Sequence, residues 1–160
     1  MSLLLLNEKY FEGMPAYTED VTIRHAHSTF DGVIAAGKGV VKGSTDETLT
    51  IPNATGMYFL GVAMLSDTYE KRDGYSIDVN GKFGWPKNYT VSYVRRGVIA
   101  VPIDSDCQTG GPVYCIHTAS TGQTPGHFRK NDTGADLVPN AVFWKTLTAA
   151  GIGLIALNLP

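Results

Sequence analysis

The residues that could do chemistry are few and far apart. His25-Ala26-His27 places two imidazoles on one face of a strand, as two zinc ligands would stand. Zinc needs a third protein ligand, and His117 and His127 lie far along the chain. The pair reads instead as the polar face of a strand. Asp104-Ser105-Asp106 and Asp46-Glu47 are paired acids of the sort glycoside hydrolysis uses. Both occur in turn-like sequence, where Asp satisfies backbone N–H groups. Cys107 and Cys115 bound the segment CQTGGPVYC, with no metal spacing and no nucleophile motif around them. They read as reduced, structural thiols, with a bond between them across the Gly110-Gly111 turn as the lesser reading. There is no G-x-S-x-G elbow, and GVIAAGKGVVKGS (residues 32–44) lacks the Gly-Lys-Ser/Thr order of a phosphate loop. The pattern predicts no catalytic residue, no metal site and no cofactor.

The elements that would carry these residues read as strands and turns. Eighteen glycines and eight prolines punctuate the chain, and no stretch shows a capped helical stripe. Residues 21–25 alternate. Residues 32–41 are apolar but broken by glycine, and 48–51 is short. Residues 58–65 (YFLGVAML) form a nearly continuous apolar run, the pattern of a strand buried on both faces. Residues 75–79 alternate and end at Asn80-Gly81, a hairpin signal with residues 82–85 returning. Two further strands are predicted at 89–94 and 97–103, then others at 113–116, 142–144 and 152–159. A short helix over 147–150 is the lesser reading. Residues 118–139 are polar and turn-rich and predict a long surface loop. The fold class is therefore all-β: an antiparallel sandwich or small barrel, jelly-roll-like, over residues 21–160. Residues 1–20 differ in composition and read either as an edge strand or as an extended N-terminal arm that pairs with a neighbour.

Composition narrows the function classes. The chain has 160 residues, enough for one self-sufficient core, and a net charge of −2. Its only basic runs are the pairs Lys71-Arg72, Arg95-Arg96 and Arg129-Lys130, so a nucleic-acid surface is not expected. Charged residues make up 18%, below the roughly 25% usual for soluble domains. A weakly charged surface tolerates contact with other surfaces. The run Leu3–Leu6 is too short for a membrane span or a secretory core, and no positive region precedes it. The three Asn-x-Thr sequons then read as chance, and synthesis in a cytoplasm is expected.

The order of segments carries one resemblance. Gly39-Val40-Val41-Lys42-Gly43 is followed by residues 58–65 (YFLGVAML), by residues 94–102 (VRRGVIAVP), and by Gly110-Gly111-Pro112-Val113-Tyr114. Over residues 32–116 this resembles the head cement, or decoration, proteins of tailed bacteriophages. The resemblance implies a non-catalytic virion protein, made in the bacterial host cytoplasm. It would bind the outer capsid surface after head expansion and cement neighbouring capsomers. The implied partners are the major capsid protein and further copies of the chain, as homotrimer or homodimer, with no nucleic acid and no membrane. Expected contact residues are Leu3, Leu4, Leu5, Leu6, Tyr10 and Phe11 in the arm, with Arg95 and Arg96 as rim residues. The alternatives are a carbohydrate- or receptor-binding virion module stacking sugars on Trp85, Tyr89 or Trp144, and a small β-barrel enzyme using His25 or His27.

Overall fold

The computed structural model describes residues 12–16, 21–64 and 81–160. Strands and turns account for them, and no helix occurs among the described residues. The strands are β1 (Thr22–Ser28), β2 (Ile34–Ala35), β3 (Gly39–Lys42), β4 (Thr48–Thr50), β5 (Phe59–Ala63), β6 (Gly84–Trp85), β7 (Thr90–Ile103), β8 (Pro112–Ile116), β9 (Phe128–Arg129), β10 (Ala135–Phe143) and β11 (Gly151–Asn158). Nine of them form one sheet in the order β1-β4-β3-β5-β7-β11-β10-β8-β9, and β2 pairs with β6. Two extra pairings close that sheet twice. β1 pairs with β7, and β7 pairs with β9. The result is two five-stranded rings fused along β7, an all-β arrangement of small barrels.

Each ring encloses its own core. Leu49, Ile34, Val40, Trp85, Val91 and Tyr93 belong to the first ring's core. Ile99, Val101, Ile103, Phe128, Phe143 and Ile155 belong to the second's. β5 and β7 form the wall between them. In β5, Leu60 and Ala63 face the first core while Phe59 and Val62 face the second. Within the apolar run 58–65, residues 59–63 are thus packed on both sides, as the pattern predicts, while Tyr58 before them is exposed.

The sequence reads two strands where the structure has one. β7 runs 14 residues, through Arg95-Arg96-Gly97. Before that point the odd positions Val91 and Tyr93 face the first core and Val94 faces the second. After it, the odd positions Ile99, Val101 and Ile103 face the second. The switch comes from a bulge: Thr22 pairs with Arg96 but Ile23 with Val94, so Arg95 is an extra residue against β1. One inserted residue sends every following side chain to the opposite face. Gly97 follows with φ of 128°, a conformation that other residues rarely adopt, and a Cβ there would lie 3.1 Å from Val21 Cγ2.

Other expectations shift for similar reasons. The proposed loop over 118–139 is interrupted by β9 and by the start of β10. β9 is only two residues long, so no alternation could show in the sequence, yet its Phe128 is fully buried. Residues 147–150 are not helical: Leu147 instead bridges to Cys107. The first arm of the 75–85 hairpin lies outside the described residues, and Gly84–Trp85 pairs with β2. Residues 12–16 lie antiparallel to β7. Gly13 N donates to Ala100 O at 2.7 Å and Ala16 N to Val98 O at 2.9 Å.

A polar clamp also joins the rings. Asp136 on β10 accepts from Thr55 Oγ1 at 2.8 Å and from Gly56 N at 2.7 Å, in the β4–β5 loop. Both joints can be tested by substitution. Gly97→Ala should lower unfolding stability by about 1–3 kcal/mol, while Gly151→Ala, where a Cβ meets open space, should stay within about 0.5 kcal/mol of wild type. Urea unfolding of the two variants compares them directly. Asp136→Ala should cost about 1–2 kcal/mol, because its charge-assisted bonds are partly screened by solvent. An unchanged urea midpoint would show that the clamp does not hold the rings together.

Candidate interaction surfaces

The structure disperses the residues that could do chemistry. His25 Nδ1 lies 3.0 Å from Ser92 Oγ and His27 Nδ1 3.2 Å from Thr90 Oγ1, across the β1–β7 pairing. They form cross-strand polar pairs on an exposed face. No cluster of three metal-ligating side chains occurs among the described residues. Asp104 accepts from Thr124 N at 2.9 Å and contacts His127 Nδ1 at 2.8 Å, tying the end of β7 to the turn before β9. Asp106 pairs with Lys130, and that hydrogen bond holds its carboxyl below the usual range. Asp46 is likewise lowered by Lys42, four residues earlier. The paired acids are turn and ion-pair residues.

The cysteines belong to the second core. Cys107 and Cys115 are free and buried. Burial pushes both thiols up, and Cys115 the further, packed where a Cβ on Gly39 would meet its Sγ. A neutral, sealed thiol is a poor nucleophile. Both should be inert to a thiol reagent near neutral pH in the folded protein and react rapidly once it unfolds. Because the folded state holds these groups protonated, their contribution is fully present below the unfolded thiol's pKa, about 8.5. Stability should fall as pH rises above that value. Rapid labelling of the native protein would contradict the burial.

The surface also carries large apolar side chains. Trp85 is 5% exposed and sits in the first core, so it is no sugar platform; Trp144 is 44% and Tyr89 45% exposed. Val142 pairs with Ala156, and Trp144 N donates to Leu154 O at 2.8 Å. Alternation therefore puts Val142 and Ile152 on one outer face of β10 and β11, with Trp144 just past the end of β10; each is about 40% exposed, while Leu154 opposite Trp144 is buried. Trp144 stands out in the sequence by its type, whereas Val142 and Ile152 do not, because only the β10–β11 pairing puts them on the same face.

A second surface lies between the rings. β10 loses register between Leu137 and Val142, with Asn140 at φ of 55°. Next to that irregular stretch is a cleft of about 530 Å³, lined by Met57, Tyr58 and Phe59 on one side and by Leu137 and Pro139 on the other. Arg95, expected as a rim residue, lines it too. Its guanidinium donates to Pro160 O at 2.7 and 3.1 Å and to Leu60 O at 2.9 Å, so it holds the last residue of the chain against β5. Arg96 stands exposed. Leu3, Leu4, Leu5, Leu6, Tyr10 and Phe11 lie outside the described residues.

Comparison with known proteins gives this surface-rich, chemistry-poor barrel a family. No curated protein sequence matches. A chain from the capsid of Myoviridae phage XM1 superposes with a TM-score of 0.70 at 21% identity, covering 99% of this chain and 97% of that one. It shares the fold. The base of the head fiber gp8.5 of bacteriophage phi29 aligns with a TM-score of 0.44 at 8% identity, over 86% of this chain and 94% of that one. The model of the structural cement proteins (E217 gp24/Pam3 gp6) matches residues 6–158. That span covers nearly all of both rings, well beyond the stretch in which the sequence pattern shows the likeness, and the chain belongs to the structural cement proteins of phages, whose role in the virion is structural.

Proposed function

We propose that this chain binds the outer surface of an expanded phage head, through the major capsid protein, and clamps neighbouring capsomers without performing chemistry. The family match over residues 6–158 carries the reading. The exposed side chains of Val142, Trp144 and Ile152 support it, because large apolar groups left on one face are candidates for contact with a partner. A protein that binds only the assembled shell stabilises it by mass action. Self-association as homotrimer or homodimer would match a local symmetry axis of the shell. In this reading Leu3–Leu6, Tyr10 and Phe11 make contacts between subunits or with the capsid. Arg96 faces an acidic partner, while Arg95 shapes the cleft beside it. The protein is made in the host cytoplasm before it joins the head.

The test is binding to expanded heads that lack this protein. Sedimentation should show saturable binding at a fixed number of copies per major capsid subunit, with heads that resist heat better. A folded protein that never sediments with heads would remove the proposal. Trp144→Ser combined with Ile152→Ser should weaken binding tenfold or more, since central aromatic and aliphatic anchors dominate interface energies. Unchanged affinity would move the contact to another face.

A further inference from the structure

We propose that the cleft between the rings receives the Leu3–Leu6 segment of a second copy of this chain. This rests on the reading of the protein as a self-associating assembly protein. The chemistry of the cleft selects the class of occupant. Among its lining residues the only charged side chains are Arg95 and Asp136, and both are already engaged. Arg95 is spent on the carbonyls of Pro160 and Leu60, and Asp136 on Thr55 and Gly56. The cleft therefore offers little to an ion. Its walls offer Met57, Phe59, Pro139 and Leu159, and its rim leaves Tyr58 and Leu137 58% and 55% exposed. A volume of about 530 Å³ suits a few aliphatic side chains.

The chain supplies one such segment. Leu3–Leu6 are four consecutive uncharged aliphatics within the eleven residues that precede Glu12. In an extended segment Leu3 and Leu5 point one way and Leu4 and Leu6 the other. One pair enters the cleft and the other packs against the rim.

The course of residues 12–16 favours a second copy over the same one. From Ala16 back to Gly13 the chain follows β7 from Val98 to Ala100, and Glu12 borders a small cavity with Pro102 and His127. The cleft lies toward the other end of β7, at Arg95. The chain thus heads away from its own cleft, and eleven extended residues reach up to about 35 Å. Reciprocal exchange of the segment closes a dimer, and sequential exchange closes a ring such as a trimer.

Cross-linking tests this on the full chain. Copies carrying Leu5→Cys are mixed with differently tagged copies carrying Leu137→Cys, and oxidised with copper phenanthroline. Cys107 and Cys115 are buried and do not compete. The mixture should yield a covalent heterodimer at least tenfold above a mixture in which exposed Thr121→Cys replaces Leu137→Cys. A yield no higher than that control would overturn the proposal. So would a Leu5→Cys/Leu137→Cys double variant that links only within single chains. Leu137→Asp, at an exposed position, should keep the melting temperature and lose the oligomer in light scattering; a retained oligomer counts against the proposal. If Leu137→Asp loses the oligomer yet still sediments with heads, the capsid reading stands by itself. If the heterodimer forms but no variant or wild-type protein binds heads, the capsid reading falls and the segment exchange stands.

Discussion

A strand can wall two cores only if its alternation is reset between them. Side chains on a strand alternate with period two, so a regular β7 would keep its odd residues on one side from end to end. Val91 and Tyr93 serve one core; Ile99, Val101 and Ile103 serve the other. The extra residue at Arg95 and the positive φ at Gly97 make that exchange possible. Much else depends on it. β1 and β5 pair with β7 before or at the bulge, β11 pairs alongside and beyond it, and β9 joins at its far end. The Arg95 side chain uses the same site to hold Pro160 and β5. Gly61 completes the wall: a Cβ there would lie 2.3 Å from Val94 O, so only glycine lets the two dividing strands approach this closely.

The legible parts of this fold are those whose signal fits within one strand. Residues 59–63 reveal a doubly buried strand because the run is nearly continuously apolar, and the alternation of 89–94 and 97–103 is correct on each side of the bulge. The join between them was not legible. A basic pair followed by glycine looks like a break when the charge is read before the pairing. β9 was hidden for the opposite reason: its one core residue, Phe128, stands in a polar stretch too short for any period to show. Surfaces were less legible still. Trp144 is conspicuous by type, but that Val142 and Ile152 share its face follows only from the β10–β11 pairing, and the cleft lies beside a stretch of β10 whose loss of register no pattern announces. A hydrophobic pattern predicts which residues leave water, whereas a contact surface is made of those that do not.

The polar inventory is consistent with a structural family. Each candidate for chemistry is engaged locally. His25 and His27 bond across a strand pair, Asp104 closes the second ring, Asp106 holds Lys130, and Asp136 bridges the rings. Such residues can be strongly hydrogen-bonded without being reactive, and a perturbed carboxylate is a weak indicator of function when its partner is one exposed lysine.

The shared strand also gives the molecule a grain. β7 and β11 are in register over eight residue pairs, from Gly151 with Ile103 to Asn158 with Arg96. The bonds between antiparallel strands lie across the strand direction. Tension drawn along β7 from one ring to the other would therefore load those bonds together, in shear, and the unbroken backbone would carry force through both barrels. A pull across the strands would open the bonds one after another. The protein is built to be stiff along one axis and to peel along another.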